Sequence, residues 1–318
     1  MIHATHHRSA LAIVALLVLF SGCVAQRPVF EPDIQTAIRD TGTTLIVDQE
    51  EINATYIVQN SSAATAQFGL IGGLIGAVVD ASVNSTRAKT AEERVADIRN
   101  AILGFDFETT MQGHLDSSLT EVTWLHARPV EVLTNAQSSD DLDRLLRKET
   151  GDVHLFVSAD YSIDAELNAA RVSLEVIAVP RSKTVREISG WTADRPPYVV
   201  RRTAIYQNTI SYAAYMGLTS SDVEEREEHW IDNQGALLKK ALETGINNVV
   251  RTLIVDLNDS TPDTERTAKV DFKDPTKATV GLTARSVKDT DDGKQVRWSD
   301  GSIVTYAPAL SLTASNAR

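Results

Sequence analysis

Cysteine is nearly absent from this 318-residue chain, Cys23 being the only one. A lone thiol excludes a disulfide framework, C-x-x-C redox chemistry and thiolate-rich zinc sites, each of which needs at least two. Histidine is scarce as well. The four beyond residue 22, His114, His126, His154 and His229, fall on different expected elements, so their spacing gives no converging ligand set. No apolar run reaches the roughly twenty residues that a membrane-crossing helix requires. Basic residues are outnumbered, 31 Lys and Arg against 43 Asp and Glu for a net charge of −12. That balance speaks against a nucleic-acid partner, whose phosphates demand cationic clusters. The motifs of nucleophile elbows (G-x-S-x-G), phosphate loops (G-x-x-x-x-G-K) and zincins (H-E-x-x-H) are all missing, and the reading is non-enzymatic.

What is present begins at the N-terminus. A mildly basic start with Arg8 precedes an apolar run from Ala10 to Phe20, followed by small residues at Ser21 and Gly22. This is the layout of a secretory signal. The run Leu19-Phe20-Ser21-Gly22-Cys23 resembles the lipobox of bacterial lipoproteins, with Phe20 standing where that family usually has an aliphatic residue. The resemblance implies cleavage before Cys23, a diacylglycerol on its sulfur and an acyl chain such as palmitate on the new amine. The covalent lipid on Cys23 is then the only cofactor expected, with no metal. Val24 replaces the Asp that marks inner-membrane retention in diderm lipoproteins, which favours the periplasmic side of the outer membrane. Cleavage removes one arginine and no acid, so the net charge moves from −12 to −13. An acidic protein is repelled by anionic lipid, which leaves membrane affinity to the acyl chains.

The most unusual internal segment is Phe68-Gly-Leu-Ile-Gly-Gly-Leu-Ile-Gly-Ala-Val-Val-Asp80, with Gly69 and Gly73, and Gly72 and Gly76, four apart. On a helix that spacing makes a flat face for close backbone approach. Three readings stay open for it: packing on its own core, contact with a protein partner or self-association, and membrane insertion.

Elsewhere the hydrophobic periods are clear. Val95, Ile98 and Ile102 predict one helix; Phe107, Met111, Leu115 and Leu119 predict a second; residues 138–149 predict a third. The stripe Leu238, Leu242, Ile246, Val249, Leu253 and Leu257 predicts a long one, with Ser221 and Glu224 as its capping box. Strands are expected over 43–47, 130–133, 153–163, 170–179, 184–191 and 199–215. Asp292-Gly293 and Asp300-Gly301 predict tight turns in a C-terminal meander of three strands. The organisation expected is a signal peptide over 1–22, a lipidated tether over 23–42, an α+β domain over 43–259, a linker over 260–278, and a meander with a tail over 279–318. The fold class is α+β, a mixed sheet with packed helices. This architecture is similar to periplasmic lipoproteins related to the curli secretion channel, and to the amino-terminal domain of the Tol-system propeller protein. The similarity implies a place in the envelope without supplying an activity.

Acidic clusters have plain explanations. Glu225 and His229 lie one turn apart at a helix start, where the dipole favours acids. Asp289, Asp291 and Asp292 precede Gly293 at a hairpin turn rather than with calcium-loop spacing. The leading expectation is a lipid-tethered periplasmic domain that binds or organises envelope components. The alternatives are a subunit of a curli-type channel, which needs hairpins with one lipid-facing side, and an envelope hydrolase.

Overall fold

The computed structural model describes residues 29–47, 49, 51–55, 93, 95–134, 148, 150–164, 166–190, 204–216, 222–261, 269–275 and 281–308. The signal region, Cys23, the glycine-rich segment and nearly all of 138–149 lie outside the described residues.

In chain order the elements are α1 (Pro32–Ala37), β1 (Thr41–Val47), β2 (Asn53–Thr55), α2 (95–101), α3 (Phe107–Leu119), a 3-10 turn (Thr123–Leu125), β3 (Glu131–Thr134), β4 (Val153–Asp164), β5 (Ala169–Pro180), α4 (Lys183–Ile188), β6 (Tyr206–Tyr215), α5 (Val223–Leu257), β7 (Ala284–Thr290), β8 (Gly293–Trp298) and β9 (Ile303–Tyr306). All nine strands form one mixed sheet in the order β3-β1-β4-β5-β6-β9-β8-β7, with β2 also on β4. The α+β class follows directly. β1 and β2 run parallel to β4 along the same edge, β1 against residues 153–158 and β2 against 162–164. Between them the Gln49 side-chain amide stands in for a strand backbone: its Nε2 donates to the Tyr161 carbonyl at 2.7 Å and its Oε1 accepts from the Tyr161 N–H at 3.4 Å. This satisfies β4 where the neighbouring strand is interrupted.

The helices cover one face. Side chains alternate along β4, so Val153, Leu155, Val157, Ala159, Tyr161 and Ile163 point together into the main core. There they meet Val95, Ile98, Ile102, Phe107, Met111, Leu115 and Leu119, and the whole predicted stripe of α5, every one buried. Each such side chain contributes roughly 1.5–3 kcal/mol of burial. α5 crosses the sheet at close range because Gly245 has no side chain. A Cβ there would sit 2.7 Å from Val172 Cγ2 and 3.1 Å from Tyr212 Cδ1.

Five sequence expectations are corrected. Residues 29–42 of the expected tether are part of the fold, because Val29 and Phe30 are already buried and α1 follows at Pro32. Residues 184–188 of the strand expected over 184–191 are helical: Ser182 Oγ accepts the Val185 N–H, which starts α4 despite the β-branched Thr184 and Val185. The cap of α5 is Asp222, whose Oδ1 accepts the Glu224 N–H at 3.0 Å, instead of a box from Ser221. The meander has its three strands and its turn glycines, Gly293 and Gly301, both at positive φ. It is nevertheless no separate unit, since β9 lies parallel to β6 with Ile210 opposite Ile303. The polar composition of 260–278 hides two residues that pack. Val270 N–H donates to the Ala284 carbonyl at 3.0 Å, and Phe272 lies against Trp298 and Tyr306.

One further departure is internal to α5. Asp232, Asn233, Gln234 and Gly235 leave helical geometry, the last three at φ of 49°, 59° and 70°. The left-handed region costs a side chain with a Cβ about 1–2 kcal/mol, less for Asn. Gln234→Gly is therefore expected to raise stability by about 0.5–1 kcal/mol after the entropy of the freer unfolded chain is counted. Asn233→Gly should give less, and a thermal melt of the two variants orders them.

Candidate functional site

The described chain begins at the end of the sheet where β4 starts, β5 finishes, β6 starts and α5 finishes. Several distant segments converge there. Phe30 stacks on Tyr206, ring centroids 5.3 Å apart and nearly parallel, and meets Trp124 edge-on at 4.9 Å. Trp124 Nε1 donates to Asn258 Oδ1 at 3.0 Å, which ties the 3-10 turn to the C-cap of α5. α1 packs against both that turn and α4.

Behind Phe30 lies a buried polar hub. Asp256, 1% exposed, faces the sheet from the last turns of α5. Its Oδ2 accepts from the Tyr206 hydroxyl at 2.6 Å and from Asn208 Nδ2 at 2.7 Å, and its Oδ1 accepts from Arg297 NH2 at 2.6 Å. The carboxylate therefore joins α5 to β6 and to β8. A second tie sits farther along the helix, where Asp292 in the β7–β8 turn accepts from Asn248 Nδ2 at 2.8 Å and pairs with Arg251. A small cavity of about 40 Å³ opens beside the hub, lined by Thr252, Asp256, Ser286, Lys288, Gln295 and Arg297, among others. It has room for ordered water, whereas small-molecule sites run to about 300–1,000 Å³. The hub's chemistry is that of a charge-assisted lock.

The opposite face of the central sheet has a different character. β4 places Ser158, Asp160 and Ser162 there, β5 places Arg171, Ser173 and Glu175, and β6 places Thr209 and Ser211. Ser173 Oγ and Ser211 Oγ are 2.9 Å apart, and Glu175 is buried. Apolar groups flank this strip: Ile46, Phe156, Ile177 and Val179 at one end, and Ala213, Val304, Tyr306 and Trp298 at the other. Burial pushes Asp160 up to about 6 from its ordinary 3.8, Arg171 opposing the rise and Glu175 adding to it. Asp164 is raised for the same reason, against backbone N–H groups that include those of Asn168 and Glu166.

Folded Asp160 thus holds its proton more tightly than the unfolded chain does. Its contribution to stability is full below the unfolded value of 3.8, falls as pH rises, and is gone above about 6. Asp160→Asn is expected to flatten this part of the stability profile. It should stabilise the protein at neutral pH by about 1–3 kcal/mol. Urea titrations at pH 4, 5, 6 and 7 test it; a wild-type slope that persists in the variant would assign the effect elsewhere.

The residues singled out by sequence fall into three groups. Leu19, Phe20, Ser21, Gly22 and Cys23, with Gly69, Gly72, Gly73 and Gly76, lie outside the described residues. The histidines are dispersed: His154 is buried with Nε2 3.0 Å from Thr44 Oγ1, His126 sits exposed at a left-handed residue, and His114 and His229 are on separate helices. Two of the three turn acids have structural partners, Asp289 with Lys294 at 2.6 Å and Asp292 as above. Among the described residues no group of three His, Cys, Asp or Glu is placed to hold a metal ion, and no helix is long and apolar enough to cross a membrane. The hub was not among the residues expected from sequence. The available signal was an acid at position 256, three residues after Leu253 on the core-facing stripe.

The chain matches no known family model and no curated protein.

Proposed function

We propose that this protein is a lipid-tethered domain of the bacterial envelope, held through Cys23 on the periplasmic side of a membrane, the outer one in preference, where it binds or organises other envelope components without catalysing a reaction. The observation that carries the proposal is the run Leu19-Phe20-Ser21-Gly22-Cys23 after an eleven-residue apolar stretch, with no second cysteine in the chain. Lipidation gives that thiol a use. Two or more acyl chains hold firmly where one holds only marginally, which an acidic domain at −13 requires.

Support for a binding role over a channel comes from the sheet. β4, β5 and β6 are the long strands that a curli-type subunit would insert, and along β4 and β5 almost every residue on both faces is buried within the chain's own fold. A lipid-facing strand needs one apolar exposed side. The glycine face at Gly69, Gly72, Gly73 and Gly76 is proposed as the contact for an envelope protein or a second copy.

Cys23→Ser separates these elements. The variant is expected to remain uncleaved at residue 23, to leave the lipid-anchored membrane fraction, and to lose the envelope proteins that wild type recovers after crosslinking. Unchanged membrane association and unchanged partners in the variant would overturn the proposal.

A further inference from the structure

We propose that the domain lies directly on the lipid surface, with the end formed by α1, α4 and the last turn of α5 turned toward the headgroups. This rests on the lipid anchor at Cys23. Given that anchor, the leash is short: only residues 24–28 separate Cys23 from Val29, which is buried. Six chain steps span at most roughly 20 Å even when fully extended. The part of α5 after its break, residues 236–257, is about 33 Å long at 1.5 Å per residue. The leash is thus shorter than the domain it holds, and Val29 fixes which end is near.

Position along the fold follows from contacts. Phe30 lies against Tyr206, whose hydroxyl reaches Asp256 in the last turns of α5, and α1 packs on α4. At the far end, Gly235 packs against Ala101 and Ile102, which places Leu103 there.

The chemistry of the near end suits headgroups. Among the described residues three large apolar side chains are conspicuously exposed: Ile188 at 42%, Val255 at 65% and Leu103 at 71%. Two of them, Ile188 at the end of α4 and Val255 in the last turns of α5, belong to the near end. α4 also carries Lys183, with a side chain 88% exposed beside Glu187, and the half-buried Arg186, whose Nε donates to the Pro180 carbonyl at 3.4 Å. Apolar side chains next to cations are what an interfacial contact uses, the apolar part entering the headgroup boundary and the cations meeting phosphates.

The test uses full-length protein made with its own signal and extracted with its native lipid into phosphatidylethanolamine/phosphatidylglycerol vesicles. A benzophenone amino acid is placed singly at 188, 255 or 103, and the mass of the Cys23 peptide is read from the same samples. Phospholipid adducts are expected at 188 and 255 and not at 103. They should be lost when about 20 Gly and Ser residues, with an r.m.s. span near 25 Å, are inserted between Arg27 and Pro28. Lipid on Cys23 with equal adduct at 103, or with none at 188 and 255, overturns the surface contact and leaves the anchor standing. An unmodified Cys23 overturns the anchor and the contact together.

Discussion

Asp256→Ala is expected to lower the free energy of unfolding by about 3–5 kcal/mol, because it strands a buried cation as well as removing an acceptor. Arg297 is only 8% exposed, and its NH2 faces Asp256 Oδ1. With the carboxylate gone, the Tyr206 hydroxyl and Asn208 Nδ2 also lose their shared partner at Oδ2. Asp256→Asn keeps the shape and one acceptor oxygen, so its loss should be smaller than alanine's. The double variant Asp256→Leu with Arg297→Met removes both charges and should recover part of the loss, since a buried pair replaced by apolar groups of similar volume is often neutral. Urea midpoints for the three variants separate a charge effect from a packing effect. Equal losses for alanine and asparagine would assign the whole cost to the missing negative charge, and no recovery in the double variant would mean that the guanidinium is stabilised mainly by other groups, such as the Gly301 carbonyl.

Trp230→Ala should cost a comparable amount, about 3–5 kcal/mol, through a different cause. Trp230 is fully buried, and its Nε1 donates to the Leu167 carbonyl at 2.8 Å. Leu167 is itself buried at a positive φ of 56° in the turn joining β4 to β5. The neighbouring Arg226 Nε donates to the Glu166 carbonyl at 2.6 Å. Together these contacts clamp the first segment of α5, before the break at 232–235, onto that turn. Truncation leaves a cavity and an orphaned carbonyl. Because the clamp is local, hydrogen exchange in Trp230→Ala should accelerate first at residues 164–168 and 223–231. A uniform acceleration across the sheet would mean that this segment does not open separately from the rest.

Much of the fold was legible in the sequence, and the reasons lie in particular residues. Phe107, Met111, Leu115 and Leu119 repeat at one helical period and are all buried in α3. The stripe from Leu238 to Leu257 is equally regular. β4 and β5 were readable because long β-branched runs flank a polar turn; β4 ends one residue later than expected and β5 extends one residue beyond each expected end. Reading failed where a local hydrogen bond outweighed side-chain type. Ser182 capping Val185 makes a helix of residues whose branching suggested a strand. The break in α5 depends on Gly235 meeting α2, a tertiary contact that no window of sequence contains. The meander's attachment was hidden for the same reason: the pairing of β9 with β6 joins residues about ninety apart. The glycines that drew attention in sequence were those at 69–76, whereas among the described residues a close helix-to-sheet approach is served by Gly245. The polar strip was half visible, since Ser158, Asp160 and Ser162 alternate with apolar neighbours; what sequence does not contain is the burial of the two serines.

The hub and the proposed lipid anchor bear on the same end of the domain. Phe30, seven residues from Cys23, stacks on the same Tyr206 that reaches Asp256, so the end of the fold nearest the proposed anchor is also where α5, β6 and β8 are locked together. The proposed function has this physical content: a leash attached to a rigid end would set where the domain sits on a membrane. The most direct test is the mass of the N-terminal peptide of the protein purified from envelopes. The account predicts a chain beginning at Cys23 that carries a thioether-linked diacylglycerol and an acylated amine. A free thiol at Cys23, or a chain still retaining residues 1–22, would contradict it.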